Sequence, residues 1–525
     1  MTSGFGLVLI PVYSRYLSTY DFGVLSLLTV TLTLVSIVFK FGLNHAFFRH
    51  YYETEDAVHR RRIVGSTLAF LLVSACVATL LLYWAAPQLS SLVFTSEQTR
   101  TGKIGLTDAT RVELLRLVIY INFFEVVTVI PDSILRAKFR SARYSALNIA
   151  AFLFQLLFIT YLVIYVHATV NSVLIGRLAG AAFEALIFYW AVRHELSMSF
   201  SLSELRGMLA FGAPLIFGQI SFTLFMMIDR FFLERFATKG EVGVYSMSNS
   251  LVSVVPLLVT VPFSQVWTVM RFSVMKEEGA EEYYARVLTY ITFVGMFLAL
   301  GAAAVAGDGL QLYALKGYWS AGQIIPLLAL AAVFDSASRV LNVGTTLKKR
   351  TIFAPLVIAA ALLVNIGLNF LLIPRYESAG ATVSTLISYL VFCGLRYWSS
   401  NLFFKVRYEW RRVFMVTMVG AVMIGAFYLI DALRGDLTPA APGALSRNAK
   451  LWLSIVVKVA LALLFPLLLL ALGFYEERER RRLREIWRKG LGLVKGQRWR
   501  ESLPTLALFI SAAGAATTFA GHWFW

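Results

Sequence analysis

Long apolar runs, separated by short charged or proline-containing stretches, repeat along the whole chain. A helix needs about 20 apolar residues to cross the hydrocarbon core of a bilayer, and most of these runs approach or exceed that length. The pattern therefore predicts fourteen membrane-spanning helices. They lie at roughly 1–17, 22–43, 63–85, 112–131, 145–166, 170–192, 209–233, 242–270, 287–306, 321–341, 352–373, 379–398, 413–433 and 451–474. A fifteenth run, 503–525, is also long enough to span, and we expect it to place Trp525 outside.

Composition identifies the class of protein. Of the 525 residues, 58% are apolar and only 15% are charged, and the mean hydropathy is +0.71. A soluble domain has about 45–50% apolar and about 25% charged residues, so a water-soluble globule is excluded and an all-α polytopic membrane protein is predicted. The two cysteines, Cys76 and Cys393, lie in apolar runs in opposite halves of the chain. We therefore expect no disulfide framework, no metal site and no cofactor.

The net charge of +18 reflects the way in which basic residues are distributed among the loops. About two thirds of the 48 Lys and Arg residues fall in alternate loops, beginning with the loop between 22–43 and 63–85. The positive-inside rule assigns these loops to the cytoplasm. The basic charge is thus explained by topology and by contact with anionic membrane lipid, and no nucleic-acid partner is required. The Arg-rich segment 475–501 predicts a basic amphipathic helix on the inner surface.

An internal repeat divides the chain. Residues 15–26 (RYLSTYDFGVLS) align with residues 235–246 (RFATKGEVGVYS) at an offset of 220. Six predicted spans separate the copies, and an even number gives parallel repeats. We therefore expect two six-helix lobes, a pair of added helices and the two C-terminal segments, with boundaries at 1–200, 205–400, 413–474, 475–501 and 503–525. The same offset places Met1 opposite Ser221, in the middle of a span. We therefore expect either that the authentic start lies upstream or that the fold tolerates a shortened first helix in a less stable lobe.

Several stretches resemble the polysaccharide-biosynthesis transporters, the Wzx-like oligosaccharide flippases of the multidrug/oligosaccharidyl-lipid/polysaccharide (MOP) exporter superfamily. They are 17–26 (LSTYDFGVLS), 211–215 (FGAPL), 229–233 (DRFFL), 262–267 (PFSQVW), 369–376 (NFLLIPRY) and 378–385 (SAGATVST). The resemblance covers about residues 5–400. It implies two lobes around a central cavity, alternating access, and transport of a lipid-linked oligosaccharide from the inner to the outer leaflet of the bacterial cytoplasmic membrane. It also implies polysaccharide polymerases or glycosyltransferases as candidate partners.

Charged residues at membrane depth are costly and usually face a cavity. Arg177 and Glu184 lie within about 20° of one stripe of the sixth span, while Glu125 lies deep in the fourth span with Asn122 one turn earlier. We assign these four residues to substrate binding. Arg177 is the best candidate for the lipid diphosphate, because a guanidinium binds phosphate bidentately. The alternative is a structural ion pair of Arg177 with Glu125 or Glu184.

Other charged residues suggest structural roles. Asp229 and Arg230, near the outer end of the seventh span, are interpreted as a gate or loop anchor. Asp335 and Arg339 are spaced i,i+4, which favours a local salt bridge. Lys458, in the fourteenth span, is expected to snorkel toward the interface. The predicted binding charges therefore belong to the first lobe.

The sequence contains no signature of an enzyme. It has no G-x-x-x-x-G-K-[ST] phosphate loop, so hydrolysis of ATP by this chain is not expected, and the outer loops are too short for a catalytic domain. Transport would then be driven by a gradient or by substrate supply. Two alternatives stay open: a cation-coupled small-molecule exporter of the same superfamily, and a non-transporting scaffold for polysaccharide synthesis.

Overall fold

The computed structural model shows helices as the only regular secondary structure of the residues that it describes, which are 2–94, 106–138, 141–197, 199–350, 352–434, 446–477 and 479–481. The α-helices are α1 (Thr2–Tyr16), α2 (Thr19–Phe39), α3 (Leu43–Glu53), α4 (Ala57–Val93), α5 (Asp108–Val127), α6 (Val129–Ala137), α7 (Ser141–Tyr161), α8 (Val170–Val192), α9 (Leu202–Met227), α10 (Asp229–Phe236), α11 (Lys239–Val252), α12 (Val261–Ser273), α13 (Ala280–Tyr313), α14 (Ala321–Leu341), α15 (Val343–Leu347), α16 (Phe353–Asn401), α17 (Trp410–Arg434) and α18 (Arg447–Ala471). Short π-helical turns follow α7 at Leu162–Val166 and precede α12 at Pro256–Thr260.

Twelve helices or helix pairs in the described residues are long and apolar enough to cross a membrane. One of them, α16, contains two of the predicted spans, because Glu377 interrupts it with a φ of 48° and a ψ of −127°. A methyl group on Gly380 would lie 2.7 Å from the carbonyl carbon of Leu372, although eight residues of continuous helix extend over about 12 Å. The chain therefore turns sharply at Glu377. Counting α16 as two runs and adding α1 brings the twelve to fourteen helical runs in the described residues. This confirms the predicted all-α polytopic fold.

The helices group into two compact units. The first unit contains residues 8–247 and 358–384, and the second contains the described residues of 1–7, 248–357 and 385–525. These boundaries do not coincide with the expected lobes, so the division at 1–200, 205–400 and 413–474 stays a prediction. Residues 482–501 and 503–525 lie outside the described residues, and the surface helix and the fifteenth span predicted there stay predictions as well.

The core of the first unit is a layer of large apolar side chains between α3, α4, α6 and α8. Phe47, Ile63, Ile130 and Phe188 are fully or almost fully buried in it. In addition, α2 packs on α5, α5 on α4 and α8, and α8 on α7. Helices that are apolar on all sides can bury one face against each other and leave another face to lipid. This packing brings the polar positions of α2, α5 and α8 together.

The repeat identified in the sequence has a structural basis at the start of α2 and α11. Ser18 accepts a hydrogen bond from the main-chain N–H of Asp21 at 3.1 Å, and Thr238 accepts one from the N–H of Glu241 at 3.2 Å. A hydroxyl residue followed three positions later by an acid is a helix N-cap pattern, since both satisfy free N–H groups of the first turn. The matching hydroxyl and acidic positions are therefore equivalent helix starts.

The two copies of the repeat also contact each other within the first unit. Ser246 Oγ donates a hydrogen bond to Ser26 Oγ at 2.7 Å, and these serines are equivalent at the offset of 220. Gly23 and Gly243, equivalent as well, each pack directly on the main chain at the start of the other copy. A side chain at either position would separate the two helices. The matching glycines and serines of the repeat thus form one self-complementary contact.

The second unit is built around α13, which packs against α14, α17 and α18. Its core includes Tyr284, Leu288 and Val340, all almost fully buried. Beyond α18, Glu479 contacts the start of α17 through a two-bond ion pair with Arg412, at 2.7 and 2.8 Å. The added helices α17 and α18 thus pack on α13, and Glu479 connects the segment after α18 to α17.

Candidate functional site

The predicted binding residues lie on two helices of the first unit, α5 and α8, which pack against each other and against α2. Arg177, on α8, is half-buried, and its Nη1 donates a hydrogen bond to Thr29 Oγ1 of α2 at 3.0 Å. Within the described residues it forms no ion pair with Glu125 or Glu184. In the described residues the structural pair considered as an alternative is therefore not formed.

Glu184 lies two turns further along α8, in a group of acids. Its carboxylate is within electrostatic range of Glu125, Asp132 and Lys40, and Asp132 is itself ion-paired with Arg136. Glu125 Oε2 accepts from Ser36 Oγ at 3.5 Å, the limit of hydrogen-bonding distance. Seven residues of helix correspond to about 10 Å, so the acids are well separated from Arg177. The site is thus a polar column with Arg177 at one end and, at the other, a group of acids accompanied by Lys40 and Arg136.

Asn122 completes this column on α5. Its side chain is 1% exposed, and its Oδ1 has no hydrogen-bond partner among the described residues. A buried amide oxygen without a partner costs about 1–3 kcal/mol. Asn122 therefore presents an unsatisfied acceptor beside Glu125, one turn away. The structure places the four predicted residues on neighbouring helices and leaves their assignment to substrate binding a prediction.

Asp229 is buried in a polar cluster away from this column. Its side chain is 1% exposed and accepts hydrogen bonds from Tyr245 Oη at 2.6 Å and Asn369 Nδ2 at 2.7 Å. Asn369 also donates to Asn365 Oδ1 at 3.0 Å. Its neighbour Arg230 donates from Nε to Ser246 Oγ, in the repeat contact, at 3.2 Å. These contacts connect α10 to α11 and α16, and the role as gate or loop anchor stays a prediction.

The predicted local pair on α14 has the expected geometry. Arg339 Nη2 lies 3.3 Å from Asp335 Oδ2. Arg396, the basic residue at the end of the span 379–398, donates from Nη1 to the carbonyl oxygen of Ser338 at 3.0 Å. Both cations therefore bind groups near the same end of α14. The assignment of Asp335 and Arg339 as a structural ion pair stays a prediction.

The interpretation of Lys458 as a snorkelling residue is wrong. Its side chain is 3% exposed, and Nζ lies 2.9 Å from Asp308 Oδ2 and 2.6 Å from Asp431 Oδ1. Arg434 Nη1 contacts the other oxygen of Asp308 at 2.5 Å. The cluster was missed because Asp308 was placed beyond the end of its span. The signal was present, since one Lys and one Asp occur in the adjacent apolar runs 451–474 and 413–433.

The polar clusters of the described residues do not have the composition of a metal site. In the part of the chain that the structure describes, no three His, Cys, Asp or Glu side chains come together in a group that could hold a metal ion. The polar clusters instead combine carboxylates with amides, hydroxyls and basic side chains. Such surfaces are suited to binding a polar ligand or to stabilising the bundle.

Comparisons with known proteins give a family and a fold. The sequence model of a family described as polysaccharide biosynthesis protein matches residues 12–313. No curated protein matches the sequence significantly. Among solved structures, the fold is similar to that of the lipid II flippase MurJ in an inward closed conformation, with a TM-score of 0.69, 14% identity, and coverage of 90% of this chain and 97% of that one.

Two further structures share the fold. An inward-facing multidrug resistance MATE family transporter of the MOP superfamily gives a TM-score of 0.64 at 12% identity, covering 79% of this chain and 96% of that one. A MOP superfamily transporter from Pyrococcus furiosus gives 0.50 at 14% identity, with coverage of 77% and 92%. Identities this low show the fold alone. Together with the family match, they confirm the resemblance to polysaccharide transporters of the MOP superfamily.

Proposed function

The chain belongs to the polysaccharide biosynthesis protein family, and from this premise we propose that it is a flippase for lipid-linked oligosaccharide. The substrate is a sugar-bearing isoprenoid diphosphate, moved from the inner to the outer leaflet of a bacterial cytoplasmic membrane by alternating access. The fold shared with a lipid II flippase supports a lipid-linked substrate. Polymerases or glycosyltransferases of polysaccharide synthesis are the expected partners, and anionic lipid is expected around the basic cytoplasmic loops.

The observation that carries the proposal is the state of Arg177. This cation lies in a membrane-spanning helix, is half-buried, and forms no ion pair among the described residues. A cation at membrane depth costs free energy that a functional ligand offsets. A diphosphate supplies two anionic groups, and the planar guanidinium can bind them through parallel hydrogen bonds. Thr29 holds one side of the guanidinium and orients the rest.

The acidic end of the column has a complementary role. Glu125 and Glu184 offer oxygen atoms that can accept hydrogen bonds from the hydroxyl groups of a sugar. Asn122 offers a further acceptor. A lipid-linked sugar therefore matches the column, with its diphosphate at Arg177 and its sugars toward the carboxylates. No covalent step is involved, and the driving force is a gradient or the supply of substrate.

Complementation of a deletion strain tests the role of Arg177. We expect Arg177→Ala to lower surface polysaccharide at least tenfold at equal protein level, with lipid-linked oligosaccharide accumulating on the inner leaflet. Arg177→Lys should restore part of the export, because it keeps the charge and loses the bidentate geometry. Arg116→Ala is the matched control, since Arg116 is a half-buried arginine of the same unit stacked 4.3 Å from the ring of Tyr83. Normal export by the Arg177→Ala variant would refute the proposal.

The fold shared with a multidrug transporter supports a second candidate function, that of a cation-coupled small-molecule exporter. A buried carboxylate such as that of Asp229 is the kind of group that such an exporter uses for coupling. The same deletion strain separates the two functions. Unchanged surface polysaccharide with a new sensitivity to toxic compounds would favour the exporter.

A further inference from the structure

A cavity of about 510 Å³ lies in the second unit, between α13, α14, α17 and α18. This volume is within the range of small-molecule sites, about 300–1,000 Å³. The cavity is separate from the column around Arg177, which belongs to the first unit. Its walls include residues of the buried Lys458 cluster and the aromatic residues Trp319, Phe427 and Tyr428.

The charges in the wall are fixed and balanced. Asp308 is 2% exposed and binds Arg434, Lys458 and Ser454, so its hydrogen-bonding capacity is largely used. Lys458 also binds Oδ1 of Asp431. Among the residues that line the cavity, the two carboxylates thus balance the two cations; Arg447, which stacks on Trp319, is a further cation that does not itself line the cavity. A diphosphate or a metal ion needs a surplus of one sign, so the balance favours a neutral polar ligand.

Two polar side chains of the cavity wall remain accessible to a ligand, and both can form hydrogen bonds with hydroxyl groups. Asp431 has a side chain that is 38% exposed, and its Oδ2 makes no hydrogen bond in the described ranges. Gln323 is exposed, and its side-chain amide is likewise without a hydrogen bond there. A carboxylate oxygen accepts from a hydroxyl, and an amide both donates and accepts. These two residues can therefore bind adjacent hydroxyls.

The aromatic wall is held in place before any ligand binds. Tyr428 Oη donates to the carbonyl oxygen of Gln323 at 2.6 Å. The guanidinium of Arg447 lies 4.1 Å from the ring centre of Trp319, and Arg447 itself donates to the carbonyl oxygen of Gln311 at 2.6 Å. Rings fixed in this way offer apolar surface at little entropic cost. A sugar ring presents both hydroxyls and an apolar face of C–H groups, which matches this combination.

The position of the cavity along the helices indicates which side of the membrane it serves. It lies near the end of α13 and α17 and the start of α14. The opposite end of α14 is followed by the basic cluster Lys348–Arg350, and α17 begins at Trp410, next to Arg411 and Arg412. Basic loops mark the cytoplasmic side, so the cavity lies toward the outer side.

We propose that this cavity is a binding site for a neutral oligosaccharide on the outer side of the membrane. Trp319 and Tyr428 would pack on the sugar rings, while Asp431 and Gln323 would bind the hydroxyls. The inference rests on the proposed function, because an outer sugar site in a lipid-linked oligosaccharide flippase receives the sugar portion after transport. Holding the sugar there disfavours its return through the transport path.

Binding to purified protein in detergent tests the proposal without transport. The probes are neutral oligosaccharides released by mild acid from the surface polysaccharide of the host, and inorganic diphosphate. We expect saturable binding of the oligosaccharide by calorimetry, and at least tenfold weaker binding by Asp431→Asn and by Trp319→Ala. Trp452→Phe is the control, since Trp452 lies on α18 and is 59% exposed. Size exclusion and thermal unfolding establish that each variant is folded.

Three outcomes would overturn the assignment: no binding of oligosaccharide by the wild type, wild-type affinity in folded Asp431→Asn and Trp319→Ala variants, or displacement of the sugar by inorganic diphosphate. The Arg177→Ala variant should bind the sugar normally. Sugar binding by a chain that transports nothing would refute the proposed function and uphold the cavity. Transport by a chain that binds no free sugar would refute the cavity alone.

Discussion

Replacing Gly243 with alanine should separate the two copies of the repeat. A methyl group on Gly243 would lie 2.8 Å from the carbonyl carbon of Thr19 and closer still to its oxygen. Gly23 has the equivalent relation to the main chain of Lys239, at 3.0 Å. Because the obstacle is the backbone of a helix start and not a flexible side chain, it cannot rotate away. The helices must move apart.

The expected cost follows from that distance. Ordinary van der Waals contacts of a methyl carbon begin at 3.4 Å, so the main chains must separate by at least about 0.6 Å. Overpacking of this kind costs about 1–3 kcal/mol, and loss of the hydrogen bond between Ser246 and Ser26 adds about 1 kcal/mol. Alanine regains about 1 kcal/mol of helix propensity. The net destabilisation is therefore about 1–3 kcal/mol.

Thermal unfolding in detergent measures this difference, with Gly425→Ala as the matched control. Gly425 is also inside a helix, α17, and a methyl group there would have no neighbour within 4 Å. That variant should be stabilised by up to about 1 kcal/mol. A double variant with Gly243→Ala and Gly23→Ala should be destabilised by less than the sum of the two single variants, because one separation of the helices removes both steric clashes. A Gly243→Ala protein as stable as the control would refute this reasoning.

Two further predictions concern the ion pairs of the second unit. Lys458→Met should destabilise the protein by about 3 kcal/mol, since removing one partner leaves buried acid charge uncompensated; thermal unfolding at neutral pH checks this, and an unchanged midpoint would contradict it. Arg412→Lys should cost about 1.5 kcal/mol, because an ammonium cannot reproduce the arrangement in which Nη2 binds Glu479 while Nη1 binds Glu409. Faster proteolysis after α18, measured by mass spectrometry, should accompany it, and wild-type cleavage kinetics would count against it.

The helices were predictable from the sequence because membrane spans depend on local composition. Apolar runs of the required length identified the spans, and the charged stretch around Glu377 correctly separated two of them although the helix is nearly continuous. The repeat aligned Ser18 with Thr238, and the structure shows that each of these hydroxyls caps the start of a helix. The direct contact between Gly23 and Gly243 is tertiary, and the sequence alone gave no sign of it.

The polar clusters were only partly predictable. Helical geometry correctly predicts that Arg177 and Glu184 lie on the same face of α8. Their separation along the helix axis, however, is about 10 Å, and this distance prevents an ion pair. For Lys458, the acidic partner Asp308 lies 150 positions away in the chain. Pairing at that separation depends on how α13 packs against α18, which hydropathy does not determine.

Transport of lipid-linked oligosaccharide by the purified chain is measured most directly in liposomes that contain no ATP. A membrane-impermeant oxidant, periodate, reports the fraction of sugar that has reached the outer leaflet. Wild-type protein should move the substrate well above the rate of protein-free liposomes, and Arg177→Ala should lower that rate at least tenfold while Arg116→Ala keeps it. A wild-type rate no faster than that of empty liposomes, a strict requirement for ATP, or full activity of the Arg177→Ala variant would contradict the proposed function and its mechanism.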